Sequence, residues 1–220
     1  MALGKSLGAS LLAVLLTSCS SLSYRPDLPY DAWFVGTMAP DYMDTWVEHI
    51  DVVDRQGWVY EDVSGGVSSM RRPPLLNGKP AGWPKRVGLG SGRHMTGIDL
   101  PELIFVTWQS LVEPQTYNAR IRIPLWVHEE MLKPHRAYCH FDGKEIDDLY
   151  RDSITLGLAP GGIVKVWLTG PCLSDIEITR YQASVSKVGP YGGKSGGKHR
   201  PLNEISKAYI ERHGVPYGSW

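Results

Sequence analysis

The chain has 220 residues, with 23 Lys and Arg against 23 Asp and Glu, so its formal net charge is zero. That balance argues against a nucleic-acid or anionic-lipid binder held by bulk charge. Its 24 Gly, 16 Pro, 8 Trp and 11 Tyr are turn formers and strand-favouring aromatics, which suit a sheet protein with many loops better than a helix bundle.

Lys5 followed by the apolar run Leu7 to Leu16 has the layout of a signal peptide, a cation and then a hydrophobic stretch too short to cross a bilayer as a helix. Leu16-Thr17-Ser18-Cys19 ends that run and resembles a bacterial lipobox, whose cysteine is lipidated on sulfur and becomes the acylated amino terminus after cleavage. On this reading residues 1–18 are the leader, Cys19 is the lipidation site, and residues 19–29 are the lipidated N-terminus and a short tether. Two or three acyl chains hold far more firmly than one, so the membrane is the first expected partner. Ser20 after the cysteine, rather than Asp, favours the periplasmic face of the outer membrane. The alternative is an ordinary secretory signal in which Cys19 is incidental.

Tyr30 to Met38 is an aromatic and β-branched run that predicts a first strand. Thr45 to Val53 and Trp58 to Val63 flank Asp54-Arg55-Gln56-Gly57 and predict a hairpin, with Gly57 free to take the left-handed turn position. Ser64 to Gly97, dense in proline and glycine, predicts a long loop. It carries Trp83 with Arg71, Arg72, Lys85, Arg86 and Arg93, the residue types that favour binding surfaces, and these six are the candidate partner-binding residues. The competing reading has Trp83 tucked back over a sheet edge while the cations stay solvated.

Leu103 to Leu111 predicts a central strand, and Tyr117 to Ile123 alternates apolar with polar as a half-buried strand does. Pro124 opens a short helix to Leu132, and Ala137 to Phe141 reads as another strand. Ser153 to Leu158 and Ile163 to Leu168 flank Ala159-Pro160-Gly161-Gly162 as a second hairpin, and Asp175 to Val188 is a last strand closing a domain over residues 30–188. In residues 189–220, Gly189 to Gly197 is expected as a flexible connector and Pro201 to His213 as an amphipathic helix, with Leu202, Ile205, Ala208 and Tyr209 on its apolar stripe. That helix docks either on its own domain or on another protein. The predicted fold is mainly β, an antiparallel sandwich or partly closed barrel with one short internal helix and one C-terminal helix.

With Cys19 assigned to lipid, Cys139 and Cys172 form a candidate disulfide in an oxidising periplasm. The alternative is two separate buried thiols. No catalytic set, cofactor motif or metal pattern emerges. Gly88-Leu89-Gly90-Ser91-Gly92 lacks the flanking elements of a dinucleotide site, and Gly193-Lys194-Ser195 lacks the first glycine of a phosphate loop, since position 188 is Val188. His94, His128, His135 and His140 are conceivable general bases beside Glu129, Glu130, Asp147, Asp148 and Asp152, although such carboxylates are usually solvated.

The stretches from Leu100 to Glu113 and from Gly157 to Leu168, with the opening Tyr30-Asp31-Ala32-Trp33, resemble an uncharacterised Gram-negative lipoprotein family carrying domain of unknown function 2931. Some of its relatives resemble immunity proteins that neutralise phospholipase effectors of the type VI secretion system. The resemblance implies a membrane-anchored protein acting by protein binding, with a periplasmic phospholipase toxin as the expected partner and no cofactor. An accessory envelope lipoprotein that binds a cell-wall or outer-membrane component is the alternative, and a hydrolase is the third option.

Overall fold

The computed structural model describes residues 26–220; the leader, Cys19 and the first part of the tether lie outside them. In chain order the strands are β1 (Ala32–Met38), β2 (Thr45–Asp54), β3 (Val59–Val67), β4 (Ser91–Thr96), β5 (Pro101–Ser110) and β6 (Gln115–Arg122). After α1 (Leu125–Leu132) come β7 (His135–Cys139), β8 (Lys144–Leu149), β9 (Ser153–Ala159), β10 (Ile163–Thr169), β11 (Ile176–Gln182) and β12 (Ser184–Val185), followed by α2 (Glu204–His213).

One sheet runs β11-β10-β9-β1-β4 and a second runs β12-β6-β5-β2-β3, while β7 and β8 form a separate hairpin. Every pairing is antiparallel except β1 with β9. Alternation along the strands sends Trp33, Val35, Leu156 and Val164 of the first sheet into the same buried core as Ile50, Ile104, Val106 and Trp108 of the second. The protein is therefore an open sandwich, mainly β, and not a closed barrel. Both expected hairpins form: Gly57 at φ 82° turns β2 into β3, and β9 passes into β10 through Pro160–Gly162 with Gly161 and Gly162 at positive φ.

Several elements depart from expectation, among them β8, which pairs with β7 where the sequence pattern predicts no strand. The last strand is broken at Ala183, whose amide donates to the Gly162 carbonyl, so that β11 lies in one sheet and β12 in the other. The chain thereby bridges one side of the sandwich. β4 sits inside the segment expected to be loop, because polar Ser91-Gly92-Arg93-His94 carries little strand signal and is held only by pairing with β1. The Gly-rich connector follows a pinned path: the Tyr191 amide donates to the Glu48 carboxylate at 2.9 Å and Pro190 is buried.

Registers define the two ends of the sandwich. Ala32 pairs with Thr96, Asp54 with Pro101, Leu103 with Arg122, and Thr169 with Ser153. The incoming segment 26–31, the β2–β3 turn, α1 and the β7–β8 hairpin all gather at this end, called the lower end below. Here α1 closes the core with Val127 and Met131, and His128 Nε2 lies 2.8 Å from the Pro101 carbonyl. Asp99, 1% exposed, ties the lower end together: its carboxylate accepts from Arg55 Nε at 3.0 Å, Gln56 Nε2 at 3.2 Å and the Leu100 amide at 2.7 Å.

Burial pushes the Asp99 carboxyl upward, but the hydrogen bonds from Arg55, Leu100 and Gln56 outweigh it and hold the group below the ordinary carboxylate value. A carboxyl with a depressed folded pKa contributes stability above its unfolded pKa and loses it as pH falls through the folded one. Denaturant titrations should therefore show stability dropping below about pH 4, with a shallower acid limb in Asp99→Asn; equal limbs would exclude this role.

Candidate functional site

Residues 68–90 form a strap across the outer face of the first sheet, seated where the strands carry no side chain. A Cβ on Gly36 would lie 2.0 Å from the Leu89 carbonyl oxygen, and one on Gly157 would lie 2.7 Å from the Trp83 ring. Trp83 packs edge-on to Trp167 at 5.1 Å between ring centroids, and Lys165 Nζ stands 5.5 Å from the Trp167 ring. The Thr155 hydroxyl donates to the Gly88 carbonyl at 2.8 Å, and the Val87 amide donates to Asp175 at 2.8 Å. Trp83 Nε1 has no acceptor among the described residues.

The strap is anchored to the turn that links β1 to β2. Tyr42, fully buried at φ 63°, donates its hydroxyl to the Pro73 carbonyl at 2.8 Å, accepts the Gly78 amide at 2.8 Å, and stacks on Tyr209 of α2 at 4.1 Å. A non-glycine residue in that region is strained and persists because its surroundings hold it. Arg71 makes a two-pronged pair with Asp41 at 3.0 and 3.2 Å. Arg72 does the same with Asp44 at 3.3 and 3.0 Å, and Asp44 also accepts from the Ser206 hydroxyl at 2.5 Å and the Asn203 amide at 3.2 Å.

α2 thus docks on its own domain, but with a face rotated from the one its apolar pattern predicts. Ser206 and Tyr209 are buried, whereas Ile205 is 48% exposed and Ala208 is also exposed. The Asp44 carboxylate, which wants hydroxyl and amide donors, sets the rotation rather than the aliphatic stripe. Beyond α2 the C-terminal Trp220 returns to clasp the strap: its Nε1 donates to the Pro80 carbonyl at 2.7 Å, its carbonyl accepts from Arg180, and the Ser219 hydroxyl accepts the Gly82 amide at 3.3 Å.

The six candidate partner-binding residues accordingly divide. Trp83 is half-buried as the packing foot of the strap, and Arg72 is spent on Asp44. Arg71, Lys85 and Arg86 are exposed and, with Lys79, rim a cleft of about 520 Å³ whose one carboxylate is Asp41. Arg93 stands apart: it lies opposite Val35 in β4, on the strand face away from His94, whose ring packs on Phe34 at 5.0 Å. A second cleft, of about 610 Å³, opens beside α2 between Arg72, Trp46 and Arg200, whose guanidinium lies 3.9 Å from the Trp46 ring. Sequence reasoning missed Trp46 and Arg200 because nearly the whole chain separates them; only the pairing of Asp41 and Asp44 with Arg71 and Arg72 carried a charge signal.

Cys139 at the end of β7 and Cys172 in the turn after β10 are joined as a disulfide, with Cα atoms 5.0 Å apart. Beside it, Arg151 is 7% exposed and donates to Glu130 Oε1 at 2.7 Å and to the Ser174 carbonyl at 3.2 Å. His135 Nε2 lies 2.9 Å from the same Glu130 oxygen and 3.0 Å from Arg151 Nη1. Glu130 is thus shared between Arg151 and His135, and the group braces the β7–β8 hairpin against α1 and the turn after β10. Asp152 is pushed up by burial despite a hydrogen bond from Ser153 and the nearby His94. Among the described residues, no three His, Cys, Asp or Glu side chains are placed to hold a metal ion, and no helix is long and apolar enough to cross a membrane.

The model of a family described as a protein of unknown function (DUF2931) matches residues 20–218. The chain belongs to that family. Nothing among curated proteins or solved structures matches it.

Two substitutions test the strap. Gly157→Val should cost about 1–3 kcal/mol in urea unfolding through overpacking, and less in a Trp83→Ala background; equal costs in the two backgrounds would mean that Trp83 does not sit on Gly157. Asp44→Ala should cost about 2–3 kcal/mol, since it strands Arg72 and Ser206, with the guanidinium's partial exposure softening the loss. Limited proteolysis should then release the segment after residue 200 sooner than in the parent.

Proposed function

We propose that the protein is an envelope lipoprotein, held through Cys19 at the periplasmic face of the outer membrane, that works by binding a protein partner through the strap. The observation that carries this reading is the cleft beside Trp83, where Arg71, Lys79, Lys85 and Arg86 face one carboxylate, Asp41. Its walls are held by Tyr42, Gly157 and Trp220, so the cations are displayed on a preformed surface rather than ordered at the moment of binding. A partner with a matching acidic rim gains on-rate and register from such an arrangement. The specific form we propose is immunity against a type VI secretion phospholipase, whose access to lipid a membrane-held inhibitor meets at high local concentration.

The same cationic cleft also supports a second reading, an accessory lipoprotein that holds acidic groups of the cell wall. The two separate experimentally. Full-length lipidated protein should pull down a phospholipase effector encoded beside its gene and protect cells that export it, with Lys85→Glu/Arg86→Glu weakening capture about tenfold or more. Cosedimentation with isolated cell wall, and no capture of or protection from the phospholipase, would replace the first reading with the second.

A further inference from the structure

At the lower end, four large apolar side chains stand out of the fold on three separate elements. Trp58 in the β2–β3 turn is 63% exposed, Leu125 and Trp126 on the outward side of α1 are 78% and 40% exposed, and Phe141 at the tip of the β7–β8 hairpin is 94% exposed. Their supports are firmly tied. Asp99 holds the β2–β3 turn through Arg55 and Gln56, the Cys139–Cys172 disulfide and Arg151 hold the hairpin, and α1 is seated through Val127 and Met131. Four apolar groups on rigid mounts at one end of a sandwich resemble neither a core nor a folding remnant.

The chain itself says what lies opposite. Leu28 and Tyr30 pack against the core at this end, and Tyr30 meets Tyr150 at 5.6 Å. Cys19 precedes Pro26, the first described residue, by only seven positions, a length that spans at most roughly 25 Å. Of the cations nearby, Arg122 pairs with Glu102, Lys133 with Glu130 and Arg136 with Glu145 and Asp147, while Lys144 at the hairpin tip is exposed between Asp142 and Glu145. Bulk charge therefore does not draw this face to a partner, whereas tryptophan and phenylalanine suit the boundary between headgroups and acyl chains.

We infer that the lower end is a bilayer-contact face, with Trp58, Leu125, Trp126 and Phe141 entering the lipid interface beside the anchor. This rests on the assignment of Cys19 as the lipidated residue. The contact fixes the orientation of the sandwich. The cationic cleft starts at the opposite end, where Met38, Pro40 and Arg71 line it, and runs down the outer face of the first sheet to Val87, whose amide donates to Asp175 just ahead of β11.

The test uses full-length lipidated protein reconstituted in vesicles of phosphatidylethanolamine and phosphatidylglycerol whose acyl chains are brominated. Part of its tryptophan emission should be quenched, and that part should vanish in Trp58→Gln/Trp126→Gln while the variant still floats with the vesicles and melts like the parent. Leu75→Gln, at a site 90% exposed on the strap, should leave the quenching unchanged. Protein that fails to float overturns the Cys19 assignment and the face with it. Floating protein whose emission is unquenched, or is quenched equally in the double variant, overturns the face alone, as does a dimer in detergent that Trp58→Gln/Trp126→Gln dissociates.

Discussion

The Asp44 carboxylate is the junction through which the rest of the molecule's outer layer is organised. It is nearly fully buried, and four donors from two distant segments converge on its two oxygens: Arg72 twice, the Ser206 hydroxyl and the Asn203 amide. Such donors offset the cost of taking a carboxylate out of water. The strap bearing Arg72 and the helix bearing Ser206 are therefore drawn to the same two oxygens. Tyr42, two residues earlier, repeats the arrangement with neutral groups, holding the strap through its hydroxyl and the helix through its ring.

From that junction follows the character of the cleft. A segment of more than 20 residues with little secondary structure of its own carries many backbone groups that need partners. Here Asp41, Tyr42, Thr155, Asp175 and Ser219 supply them, and Gly36 and Gly157 let the backbone and the Trp83 ring settle flat on the sheet. The cations left on the outside are presented by a rigid mount. At the other end the same logic holds with different means: a disulfide, the buried Arg151 and the Asp99 cluster stiffen turns whose apolar tips face outward. The cationic strap on the outer face of the first sheet and the aromatic tips at the lower end are thus chemically unlike, on a single scaffold.

Much of the scaffold was legible because its signals are local. Tyr117 to Ile123 alternates with the period of a strand, and β6 forms there; Asp54-Arg55-Gln56-Gly57 and Ala159-Pro160-Gly161-Gly162 are turn chemistry, and hairpins form at both. Pro124 ahead of Leu125 and Gly214 after His213 mark helix ends that the structure keeps. β4 was not legible, since Ser91 to Thr96 is polar and glycine-bearing and becomes a strand only because β1 offers its edge. The face α2 buries was misleading in the sequence for a related reason: its aliphatic residues pointed one way and a carboxylate 162 positions earlier turned Ser206 inward.

For the candidate site, residue types alone picked out Trp83 and the cations near it, with Trp83 packed back on the sheet as the competing reading, and for Trp83 that packing is what forms. What they could not reveal was the division of labour, in which Arg72 is consumed by Asp44, Trp83 packs on Gly157, and Arg93 sits in β4 opposite Val35, apart from the cleft. The sequence by itself determined the mainly β character, the two hairpin turns, the extent of α1 and the C-terminal end of α2, since each depends on neighbours a few positions apart; α2 starts at Glu204 rather than Pro201 because Asn203 caps it. Only the tertiary structure decided which cations remain free and which apolar groups share an end, because burial and pairing are set by residues brought together from 30 to 160 positions away.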